Sequence, residues 1–386
     1  MSKSIVALVP IDTYEQEVVD EAVRKGISLL GGWERFLQRD EKILLKPNLL
    51  GKALPQRAVT THPAVFAAVA KALQDEGYTH LSFGDSPSPA STPQAAAKAC
   101  GIADEAEALG IPWADFSGGT TVPFPEGKVC KSFHLANGIV EADAIVNLCK
   151  MKTHALERIT GAVKNMYGSI LGINKGAGHV AYPNSDRFAE MLADLHRCVK
   201  PRLHIMDGIV AMEGNGPTSG TPVPMNVLLF SADPVALDAV FASLVYLKPS
   251  LVPTCVTCEA AGLGCMDAEQ IAVLTPDCPM TVSQAQRIYG KPDFDVFRGT
   301  LKKSLIAKLL PLLPNLQERP VADPAKCIGC GLCQQACPVP EKAVRSGGGK
   351  KAEYDYSKCI RCYCCQEVCP AKAISAHRPA LGKLIH

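Results

Sequence analysis

Ala144-Ile145-Val146-Asn147-Leu148-Cys149-Lys150-Met151-Lys152-Thr153-His154 reads as a buried strand, Ala144 to Leu148, running straight into a polar tail. A short continuous apolar run is the mark of a strand covered on both faces of a parallel sheet. In such sheets ligands bind beyond the carboxyl ends of the strands, which is where Lys150, Lys152 and His154 fall. Outward from this stretch the same pattern repeats. Ile5 to Val9, Ile43 to Leu45, Leu81 to Phe83, Leu203 to Met206 and Val227 to Phe230 are further strand candidates.

Between the strands, apolar residues recur at helical spacing. Val18, Val19, Ala22, Val23, Ile27 and Leu30 form one such face, and Gly31-Gly32 ends it by allowing a positive φ. Pro63 after Thr61-His62 suits a first helical turn, with Val65 to Leu73 following. Helices are expected near Glu157 to Leu171, Arg187 to Val199 and Pro234 to Tyr246. Alternating strands and helices over about 290 residues predict an α/β fold: a largely parallel layered sheet with helices on both faces.

The composition bounds the function. Of 386 residues 47% are apolar, enough for a sizeable core, and Lys+Arg 40 against Asp+Glu 38 gives a net charge of +2. This balance removes an acidic disordered tail and a strongly basic nucleic-acid binder, so no nucleic acid is expected as a partner. The first apolar run, Ser4 to Val9, is too short for a signal peptide, and no run of 18 apolar residues is present to span a membrane. The cytoplasm is the expected location. Cysteine is the outlier, with 17 residues, nine of them between Cys327 and Cys369. In a reducing compartment such a cluster means metal or catalysis rather than disulfides.

Cys327-x2-Cys330-x2-Cys333-x3-Cys337-Pro338 recurs as Cys359-x2-Cys362-x2-Cys365-x3-Cys369-Pro370, displaced by 32 residues at every cysteine. In the bacterial run of this spacing three cysteines hold one cubane and the fourth crosses to the other. Cys327, Cys330, Cys333 and Cys369 are thus expected to hold one 4Fe-4S cluster, and Cys359, Cys362, Cys365 and Cys337 the second. Zinc sites use cysteine pairs with longer gaps and need no duplicated quartets. The segment from Asp323 to Ser375 resembles a bacterial two-cluster ferredoxin, a small α+β domain. Residues 321 to 386 hold ten Lys/Arg and five Asp/Glu, a surplus that the negative clusters would offset. Cys364 is read as a free thiol without a role, since the eight ligands are complete without it.

The domain plan is an α/β domain over 1–300, a Leu/Pro-rich linker over 301–320 and the ferredoxin-type domain over 321–386. The linker residues Leu305, Leu309 and Leu313 read as a short helix packing against the body rather than a membrane-surface helix, because Pro311, Pro314 and Pro320 interrupt it.

Polar motifs follow the strands: Lys46-Pro47-Asn48, Gly84-Asp85-Ser86-Pro87, Lys150 to His154, and Asp207-Gly208 with Glu213-Gly214-Asn215-Gly216-Pro217. Lys46-Pro47-Asn48, Thr61-His62-Pro63, Gly84 to Pro87, Lys152-Thr153-His154, Thr160-Gly161-Ala162-Val163-Lys164-Asn165, Gly168, His179, Met212 to Pro217 and Asp233-Pro234-Val235-Ala236-Leu237-Asp238 make residues 5 to 275 resemble the domain-of-unknown-function family number 362. In that family a ferredoxin-like segment is sometimes appended. The resemblance supports the boundaries and the choice of site residues and implies no substrate.

Residue chemistry supplies the rest. Lys46, Lys150, Lys152, Lys164 and Lys175 gathered at one sheet edge would attract a carboxylate or phosphate. Candidate catalytic residues are His154, Lys152, Lys164, Asp85 and Glu213. Candidate substrate-binding residues are Lys46, Asn48, Lys150, Asn165, Lys175, His179 and Asn215. Lys152 and Lys164 would fix the anion, and His154 would transfer a proton. The glycine-rich stretch Gly172 to His179 lacks a phosphate-loop order and reads as a mobile substrate-covering loop. Asp233-Pro234 reads as a helix cap. Cys255, Cys258, Cys265 and Cys278 fit no metal quartet and read as inert cysteines.

Two functions follow. One is an iron-sulfur oxidoreductase passing electrons between an external carrier and a small anionic substrate. The other is a non-enzymatic electron-transfer or assembly module that docks a protein partner and handles a metal or cofactor precursor. No nucleotide fingerprint of the Gly-x-Gly-x-x-Gly type follows the first strand, so the sequence names no flavin or nicotinamide, while His154, His179, Asp85, Asp207 and Glu213 are residue types that also bind a divalent metal.

Overall fold

The structure, a computed structural model, describes residues 3–88, 91–299 and 318–377. The expected linker helix at Leu301 to Leu316 lies outside the described residues. The body is built on an eight-stranded sheet. Its strands are β1 (Ser4–Pro10), β2 (Ile43–Lys46), β3 (Leu81–Phe83), β6 (Ala144–His154), β7 (Arg158–Thr160), β8 (Leu203–Glu213), β9 (Thr221–Ser231) and β10 (Ile271–Leu274). A separate hairpin, β4 (Gly119–Pro123) and β5 (Ser132–Ala136), stands apart. The sheet order is β10-β1-β9-β8-β6-β2-β3, with β7 folded back on β6. Neighbours pair parallel except β9, which runs against β1 and β8, and β7. The largely parallel α/β sheet expected from sequence is the one observed.

Period-two alternation divides the strands between two cores. Ala7, Val9, Ile43, Leu45, Val146, Leu148 and Ile205 face the helices Gln16–Leu30 and Pro63–Asp75. Val6, Leu8, Leu44, Ile145, Cys149 and Met206 face the helices Ser185–Val199 and Pro234–Leu244. Both faces are therefore covered, as uninterrupted apolar strands require. Gly31 and Gly32 do end the first helix, at φ 93° and 94°. Asp233 caps its helix through Val235 N (2.9 Å) and Ala236 N (2.8 Å).

Three local expectations are corrected. β6 continues through the polar tail to His154, all of it buried. The segment from Glu157 to Leu171 is not one helix. His154 Nδ1 accepts hydrogen bonds from Leu156 N and Glu157 N, both at 3.1 Å, which turns the chain into β7. Short helices at Ala162–Asn165 and Met166–Ser169 follow. The glycine-rich stretch is a helix, Gly172–Ala181, whose Lys175 carbonyl accepts the Tyr167 hydroxyl at 2.7 Å.

The C-terminal module pairs Arg319–Ala322 with Ile374–His377 and Val344–Gly347 with Lys350–Tyr354, both antiparallel. Arg319 and Pro320, assigned to the linker from sequence, already belong to the first of these strands. The module packs on the carboxyl edge of the body's sheet. Asn215 donates to Ile374 O at 3.0 Å and accepts from Gln366, and His154 Nε2 stands 3.3 Å from Glu367 Oε1.

Candidate functional site: two cysteine quartets and a lysine-lined cavity

The duplicated cysteine runs fold alike. Gly329 and Gly331 take φ of 67° and 82°, and Arg361 and Tyr363, 32 residues on, take 58° and 62°. Left-handed backbone at both places curls each run so that its first three cysteines border one cavity. Cys327, Cys330, Cys333 and Cys369 border one small cavity, and Cys337, Cys359, Cys362 and Cys365 the other. These are the crossed quartets that the spacing predicts. Each cavity measures about 20 Å³. Backbone N–H groups of Ala343, Ala352 and Ala373 reach Cys337, Cys327 and Cys369 Sγ at 3.3–3.4 Å, and Tyr354 Oη donates to Cys365 Sγ at 3.3 Å. Hydrogen bonds to sulfur are the outer-shell contacts that iron-sulfur centres use. Zinc needs its ligands about 2.3 Å from one point. Among the described residues no three Cys, His, Asp or Glu side chains converge in that way. The duplicated quartets and the hydrogen bonds to their sulfurs suit cubane clusters.

The second site lies where the sheet edge meets this module. It is a cavity of about 80 Å³. From the body come Asn48 after β2, Asp85 and Ser86 after β3, Lys152 and His154 of β6, and Lys164, Asn165, Lys175 and His179 of the following helices. Cys364, Glu367 and Val368 close it from the module.

Its floor is a buried polar network. Lys46 and Asp85 form a 2.8 Å ion pair, both almost fully buried, and Lys46 also donates to Asn165 O at 2.7 Å. Asp85 accepts from Leu49 N at 2.8 Å. The pair leaves no room for a side chain at Gly168, where a Cβ would stand 1.8 Å from Asp85 Oδ1. Asn165 links Asn48 (2.8 Å) to Asn147 (2.7 Å), so the Asn48 and Asn165 side chains are fixed in the wall.

Three lysines face the cavity differently. Lys152 donates to Asn48 Oδ1 at 2.6 Å and to Val59 O; Lys175 donates to Ser86 O and to Pro87 O at 3.1 Å. An ammonium has three donors, so each keeps one for a ligand. Burial lowers both to a pKa of about 7. Among the described residues no carboxylate or carbonyl pairs with Lys164 Nζ, which lies over the Tyr167 ring at 4.9 Å and the Phe188 ring at 5.5 Å. Burial lowers its pKa as well.

The histidines are neutral. Two backbone N–H groups on Nδ1 of His154 fix its proton on Nε2, which points at Glu367, and burial pushes its pKa down. Burial opposes ionisation of Glu367, yet the His154 contact and Lys164 hold it at about 2. His179 stacks on Phe188 at 4.4 Å, its Nδ1 has no partner among the described residues, and burial takes it to about 3. Glu157, beside this turn, is fully buried with both oxygens unpartnered, and burial raises it to about 8.

Not every candidate meets here. Lys150 turns to Asp207 (2.6 Å) and Tyr14 (3.0 Å), in a closed network away from the cavity. Glu213 accepts from Asp295 N at 2.9 Å, and Asn215 joins the body to the module. Conversely, sequence reasoning gave Cys364 no role and left out Glu367, yet both line the cavity. Their signal was present as departures from the duplication, since the first repeat carries Leu332 and Gln335 at those places.

An α/β body joined to two cysteine quartets defines an iron-sulfur protein with a 4Fe-4S ferredoxin-type domain. Residues 319–370 match the 4Fe-4S dicluster domain, and residues 43–243 match the domain of unknown function (DUF362). The chain belongs to the DUF362 family. The thylakoid-associated protein sll1697 of Synechocystis is 36% identical over 265 residues, 68% of this chain and 81% of the relative. Among solved structures, the lactate racemase apoprotein of Thermoanaerobacterium thermosaccharolyticum is similar at 13% identity with a TM-score of 0.39. That match covers 60% of this chain and spans 55% of the racemase chain. A structural-genomics protein of Thermotoga maritima matches at 13% identity and TM-score 0.35, covering 66% of this chain and 60% of its own. No helix among the described residues is long and apolar enough to cross a membrane.

Proposed function

We propose that this protein is an oxidoreductase in which two 4Fe-4S clusters exchange electrons with a small anion held in the lysine-lined cavity. One observation carries the reading: Cys364, set between the cluster ligands Cys362 and Cys365, is itself part of the cavity wall. A ligand in the cavity is thereby separated from a cysteine quartet by the thickness of one short helix. The clusters, when bound, supply or accept single electrons.

The chain's own residues do the remainder. Lys164, with no protein acceptor, takes the anion, and Lys152 and Lys175 each add one hydrogen bond. About 80 Å³ accommodates roughly five to eight water-sized volumes, which limits the ligand to a small acid or the head of a larger one. Lys152, with a pKa of about 7, replaces His154 as the proton donor. His154 cannot serve as a base through Nδ1, because two N–H groups occupy it, and instead orients Nε2–H across the cavity.

The test uses anaerobically purified protein with its clusters. Small carboxylates and oxyanions should alter the electron paramagnetic resonance of one reduced cluster and accelerate oxidation of a reduced one-electron dye. Lys164→Ala should remove both responses at unchanged iron content. If no anion changes spectrum or dye oxidation, the oxidoreductase reading fails and the electron-transfer or assembly module is left.

A further inference from the structure

The cavity adjoins a second space. Leu50, Ser88, Glu367 and Val368 belong both to its wall and to that of a larger groove of about 420 Å³ between the body and the module. This groove carries Lys52, Arg57 and Lys372. Among the described residues no carboxylate pairs with any of the three. Arg57 makes one long contact to Thr218 O at 3.4 Å. Lys372 is lowered by burial and by Arg57, so two cations share this space without a counter-charge between them. Glu367, the acidic residue in the shared wall, is turned to His154. Uncompensated cations on the two sides of a cleft favour an anion placed between them.

We propose that the groove binds a second anionic group of the same substrate, so that the substrate class is an elongated acid with charge at both ends. One end is held by Lys164 in the cavity and the other, a carboxylate or a phosphoryl group, by Arg57, Lys372 and Lys52 in the groove. Arg57 suits either, since its planar fork binds both bidentately, while the two ammoniums act as point charges. This inference rests on the reading of the cavity as an anion site and adds the length and second charge of its ligand.

Calorimetric titration of the anaerobic, cluster-loaded protein separates the two. Acetate probes the cavity alone, glutarate carries two carboxylates, and 4-phosphonobutyrate carries a carboxylate and a phosphonate. A charge-assisted hydrogen bond in the groove should tighten a two-headed probe about tenfold or more over acetate. Whichever of the two gains more identifies the second group. The variant with Arg57→Gln and Lys372→Gln, which keeps much of both stems, should lose that gain and bind acetate as before, whereas Lys164→Met should lose acetate. Lys52→Ala, at an exposed position, should lose part of the gain with no effect on folding. Equal affinity of all three probes for the native protein, or a gain that survives in the glutamine variant and in Lys52→Ala, overturns the groove site and leaves the cavity standing. Failure of acetate and both longer acids to bind overturns the cavity reading and the groove with it.

Discussion

Replacing Gly168 by alanine tests the architecture of the site at its tightest point. A Cβ at 168 would stand 1.8 Å from Asp85 Oδ1 and 2.7 Å from Lys46 Nζ. Non-bonded atoms rest at roughly 3.5 Å. Neither partner has freedom to retreat, because Asp85 is also held by Leu49 N at 2.8 Å and Lys46 by Asn165 O at 2.7 Å. The substitution must therefore open a buried ion pair, at a cost of about 3–5 kcal/mol. Unfolding a unit of about 300 residues carries an entropy of about 0.6 kcal/mol/K, so the midpoint should fall by about 5–8 °C. Anaerobic thermal unfolding followed by circular dichroism measures this, with Gly51→Ala, where nothing lies within 4 Å, as the neutral control. A midpoint for Gly168→Ala indistinguishable from the control would refute the view that a rigid Lys46–Asp85 pair forms the cavity floor.

Cys369→Ser should deplete iron at the quartet containing Cys327, while Cys364→Ser should keep the full iron content and change the response of the clusters to bound anions; iron analysis and cluster spectra decide. Glu157→Gln should be near neutral in acid and stabilising at higher pH. Its raised pKa means that the native state keeps a proton the unfolded state has lost, so wild-type stability is present below about 4.5 and lost as pH rises through about 8. The difference is on the order of 3 kcal/mol at pH 7, readable as a shift in urea midpoint. Anion affinity should fall as pH rises above about 7, because Lys152 and Lys175 then lose the protons that bind the ligand, and titration in buffers of different ionisation enthalpy should show proton uptake on binding. We also propose the α/β unit as a separable domain: truncation after Thr300 should leave it folded by circular dichroism.

The parts of the molecule written in local chemistry were legible in the sequence. A cluster ligand is fixed by spacing within one short run, so Cys327 through Cys369 could be sorted into crossed quartets before any coordinates. The sheet was legible for a similar reason, because Ile43-Leu44-Leu45 and Ala144 to Leu148 are apolar without interruption. The Lys152-Thr153-His154 tail was placed correctly at the sheet edge but misread as following the strand. Its burial comes from β7, which folds back and pairs with it, and from the module that docks on it, neither of which an apolar run announces. The expected helix from Glu157 failed because a side chain, His154, caps the turn there and outcompetes helical periodicity. Lys150 has the same residue type and strand as Lys152, and only the register opposite Asp207 separates a paired lysine from one facing the cavity.

Charge explains why the cavity sits between the two halves. Lys152, Lys164 and Lys175 are gathered in space poor in water, and burial alone would drive them neutral. Within the body Asp85 is paired with Lys46, and Asp85 and the buried Glu157 act on the three only through space, without a direct contact. The module contributes Glu367 directly, and a cubane held by the neighbouring cysteines would add about two negative charges on the module's side. Carboxylates of both halves, Glu367 of the module and Asp85 and Glu157 of the body, thus oppose the neutralising effect of burial on the lysines. In the proposed reading, an electron added to a cluster held there would add to that support, favouring protonated Lys152 while weakening the hold on a bound anion. On that proposal electron, proton and ligand would all act on one set of ammonium groups, in a cavity whose wall both halves of the chain complete.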